Sequence, residues 1–213
     1  MNHFFCEAFQ DKIGFLNEQD SHHAVRVLRL TEGSEISVSA NDGKVYAAKI
    51  LNAKKNELRF ECLKLLREQK KPLLNIAIAP TKSNDRFEWF LEKATELGVA
   101  NIYPILCANS ERKIYKTERG EKIIMAAAKQ SKKGFLPKLH EIQKMKSFVP
   151  RATSNNRFIA HLVEGSKLLI EEISFKEECL FLIGPEGDFN KEEVSLALKE
   201  SFKPLSLGEE VLR

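Results

Sequence analysis

The sequence predicts a mixed α/β protein in two parts: a small β-barrel over residues 1–70 and an α/β domain with a parallel sheet over residues 71–213. Three observations lead there. Short alternating apolar runs dominate before the charged stretch Arg67-Glu-Gln-Lys-Lys-Pro72, whereas strand-length runs alternate with helical periodicity after it. The run Leu180-Phe-Leu-Ile183 breaks at once into Gly184-Pro-Glu-Gly187, the pattern of a buried parallel strand that delivers its backbone to a ligand. A second short run, Pro204-Leu-Ser-Leu-Gly208, again ends in glycine, and ligands of open α/β sheets bind at such carboxyl ends of strands.

In chain order, residues 3–9, 35–40, 44–51 and 57–66 alternate as barrel strands. Asn41-Asp-Gly-Lys44 supplies a hairpin turn, because Asp-Gly favours the left-handed backbone that tight hairpins need. Residues 20–30 read as a short helix or turn carrying Arg26 and Arg29. Beyond Pro72, residues 73–79 form a strand and 85–98 a helix, with Phe87, Phe90, Leu91, Ala94 and Leu97 at helical spacing and Trp89 off that stripe. Strands follow at 101–106, 157–161, 179–183 and 204–207, and helices at 117–131, 166–172 and 190–201. Asn190 is placed to cap the last helix, with Glu193 reaching back three residues later, so the preceding turn is fixed at its far end.

Composition narrows the function classes. A chain of 213 residues has ample length for a core. No apolar stretch approaches the ~20 residues needed to cross a bilayer, and Met-Asn-His-Phe-Phe-Cys-Glu lacks a signal-peptide pattern, so a cytoplasmic protein without membrane contact is expected. Cys6, Cys62, Cys107 and Cys179 are scattered, which suits free thiols better than disulfides or zinc. His22, His23 and His161 have no partners at metal-ligand spacing, so no metal is expected. Between residues 111 and 138, nine basic residues face three acidic ones, which exceeds the whole chain's net charge of +4. Such concentration is the footprint of phosphate-backbone contact, against the plainer alternative of a solvated lysine-rich helix face. Neither Gly-x-Gly-x-x-Gly nor a P-loop occurs, which points to a cofactor without phosphates.

His23-Ala-Val-Arg-Val-Leu-Arg29, Lys93-Ala-Thr-Glu-Leu-Gly98, Ser110-Glu-Arg112, Lys129-Gln-Ser131, Ile183-Gly-Pro-Glu-Gly187 and Leu207-Gly-Glu-Glu-Val-Leu-Arg213 follow one another across the chain. In that order and spacing they resemble the 16S ribosomal RNA uridine-N3 methyltransferase family of the SPOUT superfamily. The resemblance implies a PUA-like RNA-binding barrel, an α/β domain with a C-terminal trefoil knot, S-adenosylmethionine as cofactor and a homodimer acting on the small ribosomal subunit. Carried over residue by residue, it implies a cofactor pocket of His161, Ile183, Gly184, Pro185, Glu186, Gly187, Leu205, Leu207, Gly208, Val211 and Leu212. Glu186 is then the candidate base or substrate-orienting group, with Arg112 and Arg213 as candidates to stabilise developing oxyanions. His23, Arg26, Arg29, Lys82, Arg86, Lys129, Gln130, Lys132 and Lys133 are the candidate RNA contacts.

Two departures stand out. The family usually has Gly-Gly where this chain has Gly187-Asp188. The sequence also ends at Arg213, where the family continues with a Thr-Glu-Thr-Ala-like segment and a last helix, without which the knot and part of the cofactor wall would be incomplete. The rival reading is a non-enzymatic RNA-binding or ribosome-assembly factor that retains the fold.

Overall fold

The computed structural model describes every residue except 8, 10, 163–164 and 209–213. The chain divides into two compact units, Met1–Lys71 with Met125–Leu136, and Pro72–Ile124 with Pro137–Arg213. One division falls between Lys71 and Pro72, and residues 125–136 group with the N-terminal unit.

In the N-terminal unit, β1 (His3–Phe5), β2 (Ile13–Leu16), β3 (Glu35–Ser39), β4 (Lys44–Ala53) and β5 (Leu58–Glu68) form a sheet ordered β1-β3-β4-β5-β2. The β1–β3 pair is parallel; the β3–β4, β4–β5 and β2–β5 pairs are antiparallel. Three register shifts interrupt the β4–β5 ladder, and such bulges bend and twist a strand pair. The outermost strands consequently share one core, Phe4 of β1 and Leu16 of β2 joining Ile36, Val38, Ile50, Leu58 and Phe60. In the loop between β3 and β4, Asn41 and Gly43 take left-handed φ of 59° and 88° but Asp42 does not, so the chain reverses without the two-residue Asp-Gly turn that the sequence suggests. The helix α1 (Glu18–His22), capped by Asn17, runs into a π-turn over His23–Val27.

The 125–136 segment docks on this sheet mostly through its main chain. The Gly134 carbonyl accepts from Gly43 N–H at 3.0 Å and Ser39 Oγ at 3.1 Å, and Gly134 N–H donates to Gln69 at 2.5 Å. A Cβ on Gly134 would stand 2.5–2.9 Å from the Gly43 backbone, so only glycine permits this approach. Buried His3 spans Ser37 Oγ and the Lys133 carbonyl, each at 3.0 Å. Burial, reinforced by nearby Arg67, Lys132 and Lys129 against the opposing hydrogen bond, pushes its pKa down to about 4.

In the second unit, β6 (Leu74–Ile78), α2 (Asn84–Leu97), β7 (Asn101–Leu106), the first part of α3 (Thr117–Gln130), β8 (Lys138–Leu139), β9 (Gln143–Lys144), α4 (Met145–Phe148), β10 (Asn156–Ala160), β11 (Leu168–Leu169), β12 (Cys179–Ile183), α5 (Lys191–Lys199) and β13 (Lys203–Ser206) follow in order. The sheet is parallel, ordered β11-β13-β10-β12-β6-β7-β8, with β9 beside β7. Successive residues of β12 serve opposite faces: Leu180 and Leu182 pack with Met145, Phe148, Val194 and Ala197, while Cys179 and Phe181 pack with Phe158 and Leu205. Burial on both faces accounts for its unbroken apolar run. Chain order reverses around β6, which has β7 on one side and β12 on the other, and crevices in open α/β sheets form at such switch points.

Two elements differ from expectation. Residues 166–172 form β11 and a 3₁₀ turn over Ile170–Glu172 rather than a helix, because Leu168 and Leu169 pair with Leu205 and Ser206 of β13. Leu97 is 83% exposed, since Gly98 ends α2 in the left-handed conformation, and buried Thr95 takes the inward place, bonding to the Leu91 carbonyl at 2.7 Å. Phe87 is core, edge-on to Tyr115, whereas Trp89 is 63% exposed. All four cysteines are free thiols. Among the described residues, no helix is long and apolar enough to cross a membrane, and no group of three or more His, Cys, Asp or Glu side chains could hold a metal ion.

Candidate active site

At the carboxyl ends of the parallel strands, three loops are tied together by side chain-to-backbone hydrogen bonds. The turn after β12 is held at its far end as its sequence suggests: Asn190 accepts Glu193 N–H at 2.8 Å and Glu193 Oε2 accepts Asn190 N–H at 3.1 Å. Buried Glu193 does more than cap, because its Oε1 accepts Ala108 N–H at 2.7 Å and fixes the loop after β7. From that loop, Asn109 Nδ2 donates to the Gly187 and Asp188 carbonyls at 2.9 and 3.1 Å. A Cβ on Gly187 would stand 3.2 Å from Asn109 Cβ, a tight contact, so any larger side chain at this exposed turn presses on the β7 loop.

Arg112 lies in the same loop and reaches the loop after β6, Nε donating to the Thr81 carbonyl at 2.8 Å and Nη2 to the Lys82 carbonyl. Lys82 N–H in turn donates to Glu186 Oε1 at 3.1 Å, closing a circuit between the β6, β7 and β12 loops. Glu186 therefore sits exposed on the lip of the turn with one oxygen engaged, and Arg112 spends two donors on loop carbonyls. Pro185 beside Glu186 is buried.

His161 follows the last residue of β10, and both ring nitrogens are buried without a hydrogen-bond partner among the described residues. Burial lowers its pKa, Lys167 adding to the effect and Asp188 opposing it. A neutral imidazole there offers one donor and one acceptor. Ile183 ends β12 in register with Ala160 of β10 and Ile78 of β6. Leu205 is buried in the core with Phe158 and Phe181, so its side chain does not line an open pocket. Leu207 is exposed, and Gly208 has φ of 135° with no atom of the described residues within 4 Å of where a Cβ would stand. The expected roles of Val211, Leu212 and Arg213, and the knot that the resemblance implies there, lie outside the described residues.

The candidate RNA residues divide between the units. His23, Arg26 and Arg29 are exposed on the π-turn and the residues after it, and Arg29 has φ of 55°, a left-handed backbone that a bulky side chain seldom adopts. Lys129 forms an ion pair with buried Asp20, while Gln130 and Lys132 are exposed. Lys133 contributes its carbonyl to His3. In the second unit, Arg86 is exposed and Lys82 pairs with Glu111 at 2.8 Å.

A cavity of about 220 Å³ lies near the opposite, amino ends of β6 and β12, lined in part by Asn75, Arg151 and Glu178. Its polar groups satisfy one another, Asn75 donating to Glu178 at 2.7 Å and Arg151 to Gln143 at 2.9 Å. The loop circuit, not this cavity, is the better chemical site. Asn109 and the second role of Glu193 went unread in the sequence because their partners come from strands far apart in the chain.

Comparison with known proteins agrees with this architecture. Residues 68–213 match a family model described as an RNA methyltransferase domain, and residues 16–62 match an RNA methyltransferase PUA domain. The chain is 30% identical to the ribosomal RNA small subunit methyltransferase E of Mesomycoplasma hyopneumoniae, covering 100% of this chain and 93% of the relative. A structure from Porphyromonas gingivalis described as a "probable rRNA-methyltransferase" is 32% identical with a TM-score of 0.87, covering 100% and 92% of the two chains. A Legionella pneumophila protein solved with the cofactor SAM bound is 27% identical with a TM-score of 0.83, covering 99% and 90%. With PUA-like and SPOUT-type sheets in sequence and the loop circuit at the strand ends, the chain belongs to the RNA methyltransferase family that includes the ribosomal RNA small subunit methyltransferases E.

Proposed function

We propose that this chain transfers the methyl group of S-adenosylmethionine to N3 of one uridine in 16S ribosomal RNA of the small subunit, working as a homodimer. The observation that carries the reading is the loop circuit joining β6, β7 and β12 at the switch point of a parallel sheet. The residues suit such a cofactor. The exposed backbone at Gly187, the exposed Gly208 and the His161 nitrogens, unpartnered among the described residues, offer surfaces and hydrogen bonds for an adenine, a ribose and an amino-acid tail. Backbone groups of residues 183–187 and 205–208 would hold the adenosine.

The cofactor supplies an electrophilic methyl group on a positively charged sulfur. The protein's task is to bring uracil N3 in line with it and to accept the weakly acidic N3 proton. Glu186 is the group for that proton: Lys82 N–H fixes Oε1, leaving Oε2 for the substrate. Arg112 acts through the loop it organises, holding the backbone that presents Lys82 N–H, and Arg213 is the candidate partner for the uracil oxygens. His23, Arg26, Arg29, Gln130 and Lys132 would contact phosphates from the N-terminal unit, and Lys82 and Arg86 from the catalytic unit.

Incubating the protein with labelled S-adenosylmethionine and small subunits that lack the modification, then mapping the label by nuclease digestion and mass spectrometry, tests the reading. Label on N3 of a single uridine is expected. Label on a ribose oxygen or another base would contradict the chemistry, and RNA binding without cofactor binding would favour the assembly-factor alternative.

A further inference from the structure

Asp188 joins loops that the rest of the circuit leaves apart. Its φ of 58° places it in the left-handed region, which Asp tolerates better than most side chains but still at a cost. In that conformation both carboxylate oxygens are used: Oδ2 accepts Leu162 N–H at 2.8 Å, two residues past the end of β10, and Oδ1 accepts Phe189 N–H at 2.8 Å. Its carbonyl also accepts from Asn109 in the loop after β7. A carboxylate with two backbone donors is an acceptor already committed, so Asp188 is poorly placed to take a proton from a substrate. It is well placed to hold backbone.

We infer that Asp188 is a positioning residue that latches Leu162, just past the end of β10, onto the turn after β12, so that the two walls of the cofactor pocket stand in place before the cofactor arrives. The inference rests on the reading above that S-adenosylmethionine occupies these turns. A pocket assembled in advance spares the ligand the cost of ordering a loop, and loss of the latch should appear in affinity rather than in the chemical step.

The test compares Asp188→Gly and Asp188→Asn in the full chain. Glycine and asparagine both accept the left-handed backbone, so neither strains the turn; glycine removes both acceptors, whereas asparagine keeps one oxygen. In Asp188→Gly the Leu162 amide should exchange faster with solvent, and Kd and KM for S-adenosylmethionine should rise about tenfold while kcat at saturating cofactor and Tm stay at wild-type values. Asp188→Asn should fall between. A Leu162 amide still protected in Asp188→Gly, unchanged cofactor affinity despite lost protection, or a fall in kcat without a rise in KM would each overturn the latch. If the wild-type chain also fails to bind S-adenosylmethionine, the cofactor placement falls and the inference with it, an outcome recognisable because wild type and variants then fail together.

Discussion

In the N-terminal unit, His23 and Arg26 stand exposed on a π-turn and Arg29 just after it, whereas in the second unit Asn109, Arg112, Glu186 and Glu193 are bound to the backbones of neighbouring loops. On the proposed function, the difference follows from what each surface would recognise. A phosphate backbone is long, uniformly charged and read by mobile cations, so solvated side chains suffice there. A methyl transfer demands a donor and an acceptor aligned to fractions of an ångström, so the site that performs it needs fixed loops. Removing a side chain from the first surface should weaken binding by increments; disturbing the second should displace several groups at once.

The largest expected effect is on the scaffold that supports the first surface. Gly134→Val would force a branched side chain into the Gly43 backbone, and we expect a loss of about 1–3 kcal/mol or more in denaturant unfolding, with RNA affinity falling alongside. An unfolding midpoint equal to wild type would mean that the 125–136 segment is not held against the sheet by this contact.

Acid should act on the same scaffold. An unfolded His3 takes a proton near 6.5 but the folded one only near 4, so between those values the unfolded state binds more protons and stability falls as pH drops from about 6.5 towards about 4. The full loss is about 3 kcal/mol, and His140 and His161, also lowered, act in the same direction. Unfolding curves of His3→Gln should therefore show a shallower acid slope than wild type; superimposable slopes would remove His3 from the account.

For the second surface, Gly187→Val should displace Asn109 and with it the two bonds that tie the β7 loop to the turn. Calorimetric titration should then give S-adenosylmethionine affinity at least about tenfold weaker in a protein that remains folded by circular dichroism. The smallest effect belongs to single exposed cations. Arg26→Ala and Arg29→Ala should each flatten the log–log salt dependence of RNA binding by about 0.7–0.9 while leaving Tm unchanged. Lys129→Ala should instead lower Tm, because it strands Asp20 in a buried position.

Strands β6, β7, β10, β12 and β13, the glycine turn and the Asn190–Glu193 cap were legible in the sequence because local backbone chemistry specifies each of them. The loop circuit was not, since Asn109 and Asp188 meet only after β7 and β12 take their places in the sheet. The docking of residues 125–136 escaped for a related reason: it rests on main-chain groups at Gly134 and Lys133, which carry no side-chain signature. Strand pairing with β13 likewise overrode the helical spacing around Leu168 and Leu169. The substitution of Asp188 for a glycine was visible, but only the structure gives it partners in the β7 and β10 loops.

Hydrogen–deuterium exchange on the full chain separates the two surfaces most directly. Adding S-adenosylmethionine should protect residues 161–162, 183–188 and 205–208 and leave 17–30 unchanged; adding a small-subunit RNA fragment should then protect 22–29 and 129–133. Protection of 17–30 by the cofactor alone, with the strand-end loops unaffected, would contradict the assignment of the two surfaces to RNA and cofactor.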